Sequence, residues 1–377
     1  MALTCGAAAI PATTVATTRP ALAQRPVRLY PRIARPHFPG PVRAAGDKPI
    51  NGVVGLTMVK TPRSTVSEVR VTVRVHLGTL CFMSDVWERT PVTPGGRLGP
   101  AAQHPGRCDG RYLERRDALV RLARGHRVGD PSPDVAYTEE EHATWRTVHT
   151  ALVVAHREHA CRAVQEAAEE APVPADHVPQ HAEVGARLKP LTGFEFTLAG
   201  GFVENRRFLG SMERGYFHAV QFVRHPAIPL YTPEPDVIHD VFGHGIHLAS
   251  PRFGDLYRMF GRTAVRLRTQ EALDMLSRVY WFTLEFGVMH EDGAVKAYGA
   301  ALLSSYGELG RLAACEVRAL DVRDMTGTPY RVSGYQPVLF GARSMSHLTD
   351  TLAGFLEKFD DETGVRLAAS ARPVDRS

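Results

Sequence analysis

The stretch YTPEPDVIHDVFGHGIHLAS, Tyr231 to Ser250, puts three histidines and two aspartates into twenty residues behind a pair of prolines. Pro233 and Pro235 hold φ where a first helical turn needs it, and Glu234 and Asp236 place negative charge where the helix dipole favours it. A helix should therefore begin within one or two residues of Pro235. Along it, His239, Asp240, His244 and His247 are all candidate metal ligands. Spacing alone does not choose among them. His239 and His244, five apart, lie roughly 140° apart around an ideal helix, which is poorer for chelation than the i,i+4 histidines of zinc proteases. His244 and His247, three apart, are better placed. A helix distorted near Gly243 and Gly245 would let His239 and His244 share one ion, because glycine tolerates departures from helical backbone. At each position the plain alternative is a histidine that only caps or packs.

The rest of the chain sets the frame. Its 377 residues, 44% hydrophobic and 23% charged, suit one large globular domain or two. A net charge of +5 with scattered arginines argues against a nucleic-acid partner. No run of about eighteen apolar residues is present to span a membrane. Cys5, Cys81, Cys108, Cys161 and Cys315 are dispersed and odd in number, which points to reduced thiols in a cytoplasm. Residues 1–105, rich in Ala, Thr, Pro and Arg, are expected to be a largely disordered extension. Within them Ser67 to Phe82 alternates well enough for a strand or two, unless translation starts at Met83. The apolar stretch before Ala21 to Gln24 is too interrupted for a secretion signal. The folded domain is expected over 106–360, with a flexible tail over 361–377.

Inside that domain, Arg111 to His126 reads as a short amphipathic helix. Thr138 with Glu141 forms a capping box, opening a long helix that carries Trp145, Val148, Leu152, His156, His159 and Val164 at helical spacing and ends at Pro172 and Pro174. A helix follows over Val178 to Leu188. A strand is expected at Phe194 to Phe202, paired with Tyr216 to Phe222. Phe253 to Arg266 and Glu271 to Met289 read as helices, Val338 to Ala342 as a strand, and Ser344 to Phe359 as a helix. Glu285 lies among Trp281, Phe282, Leu284 and Phe286, where a carboxylate is costly to bury unpaired. A metal ion or an arginine would remove that cost.

Five stretches then resemble one family in the same order. YTPEPDVIHDVFGH resembles the iron-binding signature of the pterin-dependent aromatic amino acid hydroxylases, the family of phenylalanine, tyrosine and tryptophan hydroxylases. RRFLG at Arg206 to Gly210 resembles its pterin loop, and QFVRH at Gln221 to His225 the segment before the iron helix. YWFTLEFGV at Tyr280 to Val288 resembles the segment with the third ligand, followed by KAYGAALLSSYGEL at Lys296 to Leu309. The resemblance spans Val135 to Phe359. It implies a mainly α fold with a small β component, the family's catalytic domain, built like its single-domain bacterial members and monomeric.

The resemblance also implies a set of roles. His239, His244 and Glu285 become the ligands of Fe(II), with His247 left out; two imidazoles and a carboxylate on one face suit a non-haem oxygenase. A closed zinc site would use four ligands, usually with thiolates, and no CxxC pair exists here. Arg224 matches the residue that binds the substrate carboxylate, and Asp236 the acid that holds it; Thr232 and Ser304 match neighbours of the carboxylate and of an iron-ligand histidine. Pro235, Trp281 and the edge of His239 would receive the substrate ring, with Gly341 in the pocket wall. Phe208 matches the aromatic that stacks on tetrahydrobiopterin or a related tetrahydropterin, while Gly201, Val203, Leu209, His218, Asp240 and Tyr280 match positions around that cofactor.

Two departures bear on specificity: Asn205 to Arg207 reads NRR where SRD is common, and Gly341 is smaller than the usual residue. Trp281 disfavours an indole substrate. L-phenylalanine hydroxylated to tyrosine is the first expectation, and meta-tyrosine, or hydroxylation of tyrosine or tryptophan, the alternative. A zinc hydrolase using His244 and His247, or an inactive binding protein, are the readings from other classes.

Overall fold

The structure, a computed structural model, describes residues 105–370 except 233, 332 and 333. The sequence readings for residues 1–104 and 371–377 lie outside the described residues. All described residues belong to one unit of the chain, Val73–Ser377.

Helix α1 spans Gly110–Leu122, its first turn capped by Asp109, which accepts from the Tyr112 amide. Helix α2, Glu139–His159, opens on the expected capping box: the Thr138 hydroxyl accepts from the Glu141 amide while the Glu141 carboxylate accepts from the Thr138 amide. Its buried stripe runs through Trp145, Val148 and Leu152, and the Trp145 indole donates to the Pro174 carbonyl at 2.8 Å. The long helix expected to run on to Pro172 breaks earlier. At Cys161 the backbone N–H turns to the Ala297 carbonyl, and the chain restarts as α3, Arg162–Glu170, which carries Val164.

Helix α4, His181–Thr192, leads into β1, Glu195–Leu198; α5, Asn205–Met212, leads into β2, Tyr216–Ala219. β1 and β2 pair in parallel with Glu195 opposite Tyr216, so the expected pairing holds with shorter strands. Then come α6, Val237–His239, a π-helical turn over Asp240–Gly245, and α7, Ile246–Ala249. Helix α8, Pro251–Arg266, and helix α9, Gln270–Tyr280, follow, and α9 passes into a second π turn, Trp281–Glu285.

The helix expected over Glu271 to Met289 therefore stops at Glu285. Val288 and Met289 belong to β3, Val288–Glu291, which pairs antiparallel with β4, Ala294–Ala297. Asp292 and Gly293, both at positive φ, make the connecting turn. An Asp-Gly pair is a strong hairpin signal, and here it outweighs the helical period. Short helices α10, Ala300–Leu303, and α11, Tyr306–Leu309, precede β5, Glu316–Ala319, α12, Val322–Gly327, and β6, Val338–Ala342. The second sheet has the order β4-β3-β6-β5.

Helix α13, Met345–Lys358, and helix α14, Asp361–Ser370, close the described chain. Residues 361–370 were expected to be tail. They are helical because the Asp361 carboxylate accepts from the Arg268 and Thr269 amides at the start of α9, and Gly364 lies directly on Ala272. The architecture is mainly α with a small β component, as the sequence indicated. Its core is aromatic: Trp145 meets Phe242 at 5.5 Å, and Phe282 meets Phe340 at 5.0 Å, all four rings under 2% exposed. Burying one such large side chain contributes roughly 1.5–3 kcal/mol.

Candidate active site

Two π turns build the centre of the site. In the first, the Ile246 amide reaches back five residues to the Val241 carbonyl; in the second, the Phe286 amide reaches five back to Trp281. Residues five apart are stacked in such a turn, whereas an α-helix would splay them. His239 and His244 consequently face the same way, their Nε2 atoms 3.0 Å apart. The second turn carries Glu285 to them: its carboxylate oxygens lie 3.2 Å from His244 Nε2 and 3.7 Å from His239 Nε2. Gly243 permits the approach, because a Cβ there would meet the Ala300 carbonyl oxygen at 2.6 Å.

These three are the group of convergent ligand side chains found among the described residues. Donors about 2.1 Å from one divalent ion, at right angles to each other, stand about 3.0 Å apart. The observed separations fit a single ion held on one face by two imidazoles and a carboxylate. Burial pushes His239 down to about 4 and His244 to about 3, so both rings are neutral and have a lone pair to offer. Burial also raises the Glu285 carboxyl; a divalent cation in its place would restore the carboxylate. Outside the ligand set, His239 Nδ1 pairs with the Ser304 hydroxyl at 2.9 Å and His244 Nδ1 with the Tyr257 hydroxyl at 2.7 Å. His247 is elsewhere engaged, by the Tyr257 hydroxyl and the Tyr298 carbonyl.

His239, His244 and Glu285 lie on a cavity of about 310 Å³. Its walls include Arg224, Thr232, Pro235, Trp281 and Ser304, together with Gly201, Val203, Phe208, Leu209, His218, Asp240 and Tyr280. Asp236 stands behind Arg224. Its two oxygens accept from the guanidinium at 2.8 and 3.0 Å, and the same carboxylate accepts from the Arg224 and His239 amides, tying the arginine to the start of the helix that carries His239. A bidentate pair of this kind fixes the guanidinium plane. Phe208 meets Tyr280 edge-on at 5.8 Å and His218 at 6.3 Å. His218 Nε2 and the Trp281 indole nitrogen, on residues of this lining, are buried with no hydrogen-bond partner among the described residues, polar atoms that a bound molecule would satisfy.

Gly341 is the exception. It lies on β6 opposite Val288, does not line the cavity, and a Cβ on it would meet His290 at 2.7 Å and Val317 at 3.0 Å. The expected extra space in the pocket wall is filled by those two side chains. Asn205 lines the cavity, whereas Arg206 turns away to the Leu267 carbonyl. Sequence reading also missed Phe217, Tyr231, Glu308 and Tyr335 in the wall. Burial lifts the Glu308 carboxyl to about 7, while its Oε1 accepts from the Gln336 amide.

Comparison with known proteins agrees with this geometry. The family model of the biopterin-dependent aromatic amino acid hydroxylases matches residues 97–376. The phenylalanine 3-hydroxylase of Streptomyces coeruleorubidus is 44% identical over 277 residues, 73% of this chain and 98% of that protein. The tyrosine 3-monooxygenase of Bos taurus is 36% identical over 278 residues, 72% of this chain and 56% of the bovine one. A crystal structure of Chromobacterium violaceum phenylalanine hydroxylase, with bound iron(III) and oxidised 7,8-dihydrobiopterin, superposes with a TM-score of 0.57 at 28% identity, covering 64% of this chain and 87% of that one.

Proposed function

The chain belongs to the biopterin-dependent aromatic amino acid hydroxylases, and from that premise we propose that it hydroxylates the ring of L-phenylalanine at the meta carbon. The observation that carries the position of attack is the 44% identity to a phenylalanine 3-hydroxylase along nearly that protein's whole length. The sequence reading placed para-tyrosine first and held meta-tyrosine as the alternative, the latter partly on the space at Gly341. That space is filled, so the argument from it lapses.

Fe(II) and a tetrahydropterin, when bound, supply the activation of O2. His239, His244 and Glu285 would hold the iron, two imidazoles and a carboxylate that suit a non-haem oxygenase. Arg224 takes the substrate carboxylate, its plane already set by Asp236. Trp281 and Pro235 confine the aromatic ring beside His239, and Thr232 and Ser304 border the same end. Phe208 would stack on the pterin, with Tyr280, His218, Asp240, Leu209, Val203 and Gly201 around it. The protein's contribution is orientation: shifting a ring by an ångström exchanges a para for a meta carbon at the reacting position. We read the enzyme as a cytoplasmic monomer acting on small molecules, without a nucleic-acid partner; no helix among the described residues is long and apolar enough to cross a membrane.

Product identification tests the reading. The purified chain, given Fe(II), tetrahydrobiopterin, O2 and L-phenylalanine, should yield a product co-eluting with authentic meta-tyrosine. A dominant para-tyrosine peak would overturn the assigned position, and 5-hydroxytryptophan formed fastest from a mixture of amino acids would overturn the substrate.

A further inference from the structure

His247 and Tyr257 are wholly buried beside the metal-ligand group, yet the reading above gives neither a task. Their hydrogen bonds form a chain whose polarity can be solved. His247 Nε2 faces the Tyr298 carbonyl oxygen, which can only accept, so that nitrogen carries the hydrogen. The ring has no carboxylate partner and is neutral, so its Nδ1 is a lone pair. Tyr257 Oη lies 2.8 Å from that lone pair and must donate to it. A hydroxyl has one hydrogen. Toward His244 Nδ1, 2.7 Å away, the Tyr257 oxygen therefore accepts. His244 then carries its hydrogen on Nδ1 and presents a bare Nε2 to Glu285 and His239. Reversing every bond would set two lone pairs against each other at Tyr298 and aim an N–H at the ligand position.

His239 is treated in the same way by a shorter chain. The Ser304 hydroxyl donates to the Ala301 carbonyl at 3.2 Å and pairs with His239 Nδ1 at 2.9 Å. Each ligand histidine is thus tied to a backbone carbonyl that dictates its tautomer, directly through one hydroxyl in the first case, through a tyrosine and a second histidine in the other. Phe253, stacked on His247 at 4.4 Å and 14°, holds that second ring in plane.

We propose that Tyr257, directed by His247, is a positioning residue that locks His244 in the tautomer whose Nε2 is open to a metal. This rests on the metal assignment made above, and explains why a third histidine sits on the metal helix without joining the ligands. Outer-sphere partners of ligand histidines typically carry about 10–100-fold in metal affinity.

The test titrates the metal-free full chain with Co(II) and follows the exchangeable imidazole N–H resonances of the cobalt protein in H2O and D2O. Wild type should show two shifted, slowly exchanging N–H protons, one per ligand histidine. Tyr257→Phe should weaken Co(II) binding by about 10–100-fold and make one of the two exchange rapidly, leaving the other unmoved. His247→Leu, which keeps the tyrosine packing, should act in the same direction, and the double variant should bind no more weakly than Tyr257→Phe, because both changes cut one chain. A purely structural role would lower the melting temperature and disturb both protons alike. Wild-type affinity and two slow protons in either single variant overturn the proposal; if Tyr257→Phe does not fold, His247→Leu decides it alone. Failure of wild type to bind Co(II) in a manner lost on Glu285→Ala overturns the metal assignment itself, and the proposal with it.

Discussion

Helix α2 and the π turn Asp240–Gly245 are both helical and both packed into the core, but they are held in opposite ways. Helix α2 is self-sufficient: it supplies its own capping box, its own apolar stripe, and an exposed face over the rest of its circumference. The π turn has no exposed face, since all six of its residues are buried. It is held from outside, by the Asp240 carboxylate on the Val220 amide at 2.7 Å, by the Ala300 backbone against Gly243, and through the Asp236 cap at its leading edge. A widened turn is locally unfavourable and recurs at functional sites. The difference teaches that function here occupies the segments whose geometry depends on neighbours.

Three substitutions sharpen that contrast. Glu285→Ala should have the largest effect, reducing Fe(II) affinity by more than the roughly 10–100-fold an outer-sphere partner carries while leaving the circular dichroism spectrum unchanged; iron retained at wild-type affinity would break the assignment. Gly243→Ala should come next. The added methyl meets Ala300, so stability should fall by about 1–3 kcal/mol in urea titration, and iron affinity should fall with it because the two histidines separate. A Gly243→Ala protein that is destabilised yet binds iron normally would show that the π turn is not what aligns His239 with His244. Thr138→Ala should be smallest: loss of the capping box costs about 1 kcal/mol, with iron affinity unmoved, since α2 only supports the site.

The same contrast governs what the sequence could reveal. The start of α2 was legible because Thr138 and Glu141 act on each other across three residues. The convergence of His239, His244 and Glu285 was legible only through the resemblance to a family. Spacing left His239, His244 and His247 undecided, because an α-helical period does not describe a π turn. The end of α9 was misread for a related reason: the apolar period continues past Glu285, while the hairpin at Asp292 and Gly293 claims Val288 and Met289. Gly341 was misplaced because its neighbours, His290 and Val317, come from other strands and no local pattern announces them. Tyr257 left no signal at all, since its importance arises only when α8 brings its hydroxyl between His244 and His247.

The most direct test of the account is a crystal structure of the full chain loaded anaerobically with Fe(II), with anomalous scattering measured at the iron edge. The account predicts a single iron peak about 2.0–2.2 Å from His239 Nε2, His244 Nε2 and a Glu285 oxygen, with both π turns retained and His247 still on the Tyr298 carbonyl. An iron bound through His247, or a site assembled only after Asp240–Gly245 rewinds into a regular α-helix, would contradict it.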